Sequence, residues 1–462
     1  MTSQKFKQQL KQEAEQWRIE GLIDQKIYDI LAQRYQFVNL ANSSNDRFTA
    51  IIITFGCILL GLAVITFVAA NWQVWSKPIK VTILISSFFI SNIAGFYIWQ
   101  KAITNWQSRL GQGLLLISSL ILGANIGLMS QMFHQTGALY ELYLIWGFAV
   151  LLMAYGLSLT SLGIVAIILV SIGYFSGLNW FSNRDINYLI QFIPLLVICF
   201  FIPLAYRCRS PWLFFLTSCL TIVSFNINCL SNIGTISAPL KGFLFAIAFS
   251  IPLAFFWSYQ DKPKLFNFNI TASFNNLTFT NLSRKITVLY LSLILYIFSF
   301  NWWWQYYPNQ QENLMSRWDY FSLLLQIFLF TIVAIYWWYK LGKRQNINAS
   351  WRLDSHSFYM GTVIIIISLL ISLNVNYNLV GSIGTVIFNG LLFFLALTLI
   401  RQALKSEQRL GYWSGICLLS LQVFSRMFEY NTGLLTKAIV LFACGLSVII
   451  AGIWFEKNVA QP

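Results

Sequence analysis

Ionisable side chains are rare in this chain, and the few at the ends of its apolar runs are the natural candidates for chemistry. Gln131, His134 and Gln135 recur at spacings of three and four, the repeat of one helical face, and Glu141 follows across a short turn. Arg426 and Glu429, at i and i+3, close a later apolar run, and Asn71-Trp72 close the first. If these ends converge, Asn71, Trp72, Gln131, His134, Glu141, Arg426 and Glu429 build a polar pocket at one membrane face. Such a pocket can hold a small or lipid-linked molecule. An enzyme acting on a lipid-linked saccharide would instead need acidic or basic groups facing a carrier phosphate. The plainer alternative is a set of interfacial caps and surface ion pairs, each worth at most about 1 kcal/mol.

Other catalytic signatures are missing. There is no Gly-rich phosphate loop, no HExxH and no triad pattern. Two His are too few for a His-based metal site, and the seven Cys form no CxxC pair. Most of these Cys lie inside apolar runs as small hydrophobes. No catalytic residue, cofactor or metal is expected, and the chain reads as non-enzymatic. Charged groups at mid-membrane are expensive and usually functional, and this chain has almost none. Asn92, Asn125, Asn226, Asn228, Gln326 and Asn389 are neutral, and their expected role is to hold helices together.

The elements that position these groups follow from composition. The 462 residues are 57% hydrophobic and only 10% charged, against roughly 25% charged in a soluble domain. A bilayer core needs about 20 apolar residues per helix. The spacing predicts roughly fourteen such spans, from 48–70 to 434–455, in an all-α polytopic membrane domain over 48–457 with a short tail at 458–462. The split of 141–157 from 159–176 rests on a very tight turn in GLSLTSLG. Residues 1–47 precede the spans as a cytoplasmic helical hairpin. Phe6, Leu10 and Trp17 lie on one stripe, Gly21 interrupts, and Asp24 caps a second helix carrying Ile27, Ile30, Leu31 and Tyr35.

The net charge of +15 is spread through the short gaps between apolar runs, so nucleic acid is not the expected partner. With the N-terminus in the cytoplasm and sides alternating, 23 of the 30 Lys and Arg fall inside, a clear positive-inside bias. Both termini are then cytoplasmic, and the expected location is the plasma (inner) membrane. Gln131 to Glu141 and Arg426 to Glu429 fall on the outer face. NWWWQYY at 301–307 and YWWYK at 336–340 read as interfacial belts; an exposed Trp triplet can also stack sugar rings. Strict alternation around Asn275-Asn276 predicts a small β-hairpin in the 260–284 loop. Pro194 and Pro203 fall inside one predicted span, 188–206, and Pro252 inside another, where each can kink its helix.

Several stretches carry a family likeness. They are Trp17…Glu20-Gly21-Leu22-Ile23…Ile27…Tyr35, Leu60-Gly61-Leu62…Phe67-Val68-Ala69-Ala70-Asn71-Trp72, Gly123-Ala124-Asn125…Gln131-Met132-Phe133-His134 with Trp146, and Ser425-Arg426-Met427-Phe428-Glu429-Tyr430 leading to Gly445-Leu446. In these the chain resembles the polytopic bacterial membrane proteins catalogued as domain of unknown function 2157. Residues from roughly 160 to 400 match only in being hydrophobic. The resemblance implies a multi-pass bacterial membrane protein and no substrate, and its motifs add weight to Gln131, His134, Arg426 and Glu429. Three functions remain open. The protein transports or accommodates a small or lipid-linked molecule, acts as a membrane enzyme on a lipid-linked saccharide, or is an envelope assembly or regulatory subunit. The expected partners are the lipid bilayer and a protein docked on residues 1–47.

Overall fold

The computed structural model describes residues 4–35, 76–135, 137–178, 188–232, 238–261, 279–305, 317–343, 353–430 and 433–458. It also describes 52, 55, 56, 58–60, 62, 63, 66, 67 and 70, all helical. Every regular element among the described residues is an α-helix. Among the described residues, eleven helices are long and apolar enough to cross a membrane. The chain divides into two compact units, Met1–Ser182 and Asn183–Pro462.

In the first unit, α1 (Gln4–Ile19) and α2 (Gln25–Tyr35) form the expected hairpin. Gly21 sits at φ +74°, and the amides of Leu22 and Gly21 return to the carbonyls of Trp17 and Arg18. Glycine ends a helix this way because it enters the left-handed region without a Cβ clash. Asp24 then accepts the Gln25 amide at 2.7 Å. Ala14 is buried among Leu10, Trp17, Ile23 and Leu31. Tyr28 donates to Glu15 at 3.2 Å, and burial, reinforced by that carboxylate, pushes its phenol up.

Four span-length helices follow among the described residues of this unit: α3 (Lys77–Gln100), α4 (Asn105–Met132), α5 (Leu139–Leu157) and α6 (Thr160–Leu178). Pro78 lies in the first turn of α3, where a missing amide hydrogen is harmless. Thr104 and Gln107 form a capping box at the start of α4. The tight turn between α5 and α6 is present, with Ser158 left-handed at φ 53°. The helices approach closely through small residues, as membrane helices do. Gly147 faces Val170, Gly173 faces Leu144 and Gly111 faces the Trp99 backbone.

The second unit holds α7 (Tyr188–Gln191), α8 (Ile193–Arg207), α9 (Pro211–Ser231), α10 (Ala238–Ser258), α11 (Phe279–Phe298), α12 (Asn301–Gln305), α13 (Arg317–Lys343), α14 (Ser355–Tyr377), α15 (Gly381–Lys405), α16 (Arg409–Glu429) and α17 (Leu434–Asn458). α10 is central: it packs against α9, α11, α13 and α14.

Three of the fourteen expected spans are absent from the eleven. The span at 48–70 is only partly among the described residues. The helix at 409–429 carries too many polar side chains. The span at 188–206 is divided, and α8 has only 15 residues. Pro194 therefore does not kink a continuous helix. It lies in the first turn of α8, so the break falls just before it, where its missing N–H removes no hydrogen bond. Pro203 and Pro252 do lie inside helices, α8 and α10. The β-hairpin expected around Asn275-Asn276 lies outside the described residues.

Candidate functional site

The polar rim of the first unit is a helix terminus. α4 stops at Met132, and His134 adopts φ 51°. The Gln135 amide returns to the Ser130 carbonyl at 2.9 Å and the His134 amide to Gln131 at 3.3 Å. That is a Schellman cap with histidine in the position that usually holds glycine. Gln131, His134 and Gln135 consequently do not share one helical face, because the helix ends between them, and all three are exposed. Glu141 stands in the first turn of α5, where a carboxylate favours the helix dipole, and accepts from Tyr140 at 3.3 Å.

The tightest packing of this unit lies deeper, where Trp146 lies flat on Gly123. A Cβ at Gly123 would come within 2.3–2.5 Å of its ring atoms. The Trp146 indole donates to the Ser119 carbonyl at 2.7 Å. Asn125 donates to the Leu84 carbonyl at 2.9 Å, and Asn92 to Ser118 at 3.2 Å. These carboxamides hold helices together, as expected from their neutral character.

Residues 15–163 match the family model "Predicted membrane protein (DUF2157)". The match covers the end of α1, all of α2, Gly123, Asn125, His134 and Trp146, so the DUF2157 region and the expected motifs coincide there. The motif at Arg426 and Glu429 lies beyond it. No curated protein and no solved structure matches the chain.

Asn71 and Trp72 lie outside the described residues. Gln131, His134 and Glu141 belong to the first unit, Arg426 and Glu429 to the second.

Arg426 and Glu429 hold a broken helix. Between α11 and α12 the chain leaves helical geometry at Ser299-Phe300, freeing backbone groups that a bilayer cannot hydrate. Arg426 donates to the Ser299 carbonyl at 2.6 Å and to its hydroxyl at 3.3 Å, and lies 4.0 Å over the Phe300 ring. Arg426 pairs with Glu429, and Glu429 accepts the Asn301 amide. Asn389 also donates to the Ser299 carbonyl at 2.9 Å, and Gln422 donates to Asn389 at 3.0 Å. Trp304 donates to the Phe298 carbonyl at 2.8 Å. Trp304 is buried and Trp303 half-buried, so Trp302 alone of the three indoles is exposed. That disfavours a three-ring sugar platform.

The break between α7 and α8 is built alike. The Gln191 carbonyl accepts from Asn228 at 2.8 Å and from Gln326 at 2.7 Å, and Ser322 donates to the Gln191 side chain. At the opposite end of the unit, Asp261 accepts the Thr280 amide at 3.0 Å and its hydroxyl at 2.9 Å, and also accepts from Tyr206. Sequence reasoning missed Ser299, Gln191 and Asp261 as the acceptors. Its only signal was a carboxamide or Arg inside an apolar run.

The second unit also carries an apolar groove. Two adjoining cavities of 610 and 320 Å³ share Ile251 and Thr331 and run between α10 and α13. Phe243 and Phe321 line one end, Ala254, Trp338 and Tyr339 the other. The lining follows roughly 27 Å of α13, from Phe321 to Tyr339, and roughly 17 Å of α10, from Phe243 to Ala254, against about 30 Å of bilayer hydrocarbon. Among the described residues no group of three or more His, Cys, Asp or Glu stands close enough to hold a metal.

Proposed function

We propose that this is a non-enzymatic membrane protein that accommodates a lipid, or the chain of a lipid-linked molecule, in the groove between α10 and α13. One observation carries the reading: an open, almost wholly apolar channel that follows most of α13, flanked by the exposed side chains of Phe321, Leu324, Phe328 and Ile335. An acyl chain is the occupant whose shape and polarity suit it. A non-enzymatic role is supported by the engagement of two carboxylates of this unit in structure. Asp261 serves Thr280 and Tyr206, and Glu429 serves Arg426 and Asn301.

The test compares purified wild type with Thr331→Trp and Ala334→Trp, which fill the groove. Both variants should retain much less phospholipid by native mass spectrometry while still unfolding in one cooperative transition. Unchanged lipid retention in folded variants overturns the reading. The proposed setting is the plasma membrane with both termini cytoplasmic, on the strength of the Lys/Arg asymmetry. A single cysteine at position 310 should then react with an impermeant thiol reagent on intact cells and one at 275 should not; the reverse pattern sinks the orientation.

A further inference from the structure

A groove lined almost entirely by hydrocarbon selects poorly among membrane lipids, because the surrounding tails are just as apolar. Selection has to come from a polar anchor at one of its ends. From the end lined by Ala254, Trp338 and Tyr339, helix α10 leads on to one. Trp257 lies one turn beyond Ala254 on α10, and its indole donates to Ser357 at 3.2 Å. The Arg284 guanidinium, from the first turns of α11, lies 5.6 Å over the Trp257 ring. Arg284 makes no ion pair among the described residues, and its Nε–H is buried without an acceptor.

The carboxylate closest in sequence at this end, Asp261, is taken by Thr280 and Tyr206. Arg207, Arg209, Lys285 and Lys340 share this end, against Asp261 and Asp354, so the local balance is positive. A guanidinium stacked on an aromatic face, with its N–H fork unspent, is suited to bidentate capture of a phosphate.

We propose that Arg284 is the headgroup anchor of the groove and takes the phosphate of an anionic phospholipid whose chain lies along α10 and α13. This rests on the lipid-accommodating reading above. The experiment uses the full chain in detergent, with phosphatidylglycerol and phosphatidylcholine of matched chains titrated in native mass spectrometry. Wild type should prefer the anionic lipid by about tenfold, because the phosphate of phosphatidylcholine is already balanced by its own choline cation and gains less from the guanidinium. Arg284→Gln should lose that preference yet still bind both lipids, and Arg284→Lys should keep part of it.

A preference unchanged in folded Arg284→Gln overturns the anchor. Full lipid load in folded Thr331→Trp, with the Arg284 effect intact, overturns the groove instead. If inorganic phosphate at equal concentration abolishes phosphatidylglycerol binding in wild type, the site is one for free anions and the lipid assignment falls.

Discussion

Arg426→Ala should lower the stability of the detergent-solubilised protein by about 3 kcal/mol, read as a fall in the thermal unfolding midpoint. The side chains of Arg426 and Glu429 are only 16% and 12% exposed. Truncating the arginine leaves the Glu429 carboxylate short of its counter-charge in a poorly hydrated place, and such one-sided removals are among the costliest polar changes. The Ser299 carbonyl keeps Asn389 as a donor, so the break between α11 and α12 loosens without losing every partner. Arg426→Lys preserves the charge but not the fork that spans the carbonyl and hydroxyl of Ser299, and should cost about half as much. The double variant Arg426→Leu/Glu429→Leu should be milder than Arg426→Ala, because no charge is stranded. If Arg426→Ala falls within roughly 0.5 kcal/mol of wild type, the pair is an ordinary surface ion pair and the clamp is wrong.

Gly123→Val should be at least as damaging to the first unit. Trp146 cannot simply retreat from the new side chain. Its indole is tied to the Ser119 carbonyl at 2.7 Å, and Tyr143 stacks on it with 6.3 Å between centroids. Overpacking of this kind costs typically 1–3 kcal/mol, and a contact of 2.3–2.5 Å already at Cβ places Gly123→Val at the upper end. Gly123→Ala/Trp146→Phe should recover part of the loss that Gly123→Ala alone produces, since the smaller ring vacates the collision. Thermal midpoints of wild type, both singles and the double give the coupling directly. Additive losses would mean that the two residues do not share the contact.

Much of the architecture is legible in the amino-acid sequence. Sparse charge and long apolar runs require a membrane-spanning helical chain, because a buried backbone in lipid must satisfy its own hydrogen bonds. The amino-terminal hairpin was readable for a local reason. Gly21 and Asp24 act on amides within a few residues of themselves. The turn at Ser158 was readable in the same way.

The roles of the candidate residues were another matter. The spacing of His134 is that of a helical face, and the backbone makes it a cap. Pro194 falls inside an apolar run of span length, and it opens a helix instead. Arg426 found its acceptor at Ser299, 127 residues away, and Asn228 found Gln191, 37 residues away. Residue types determine where a helix can start, stop or enter a bilayer, since those preferences act within a turn or two. Which backbone carbonyl is left free at a break, and which distant side chain reaches it, is decided by packing. Every residue carries the same carbonyl, so no letter in the sequence marks the one that needs a partner.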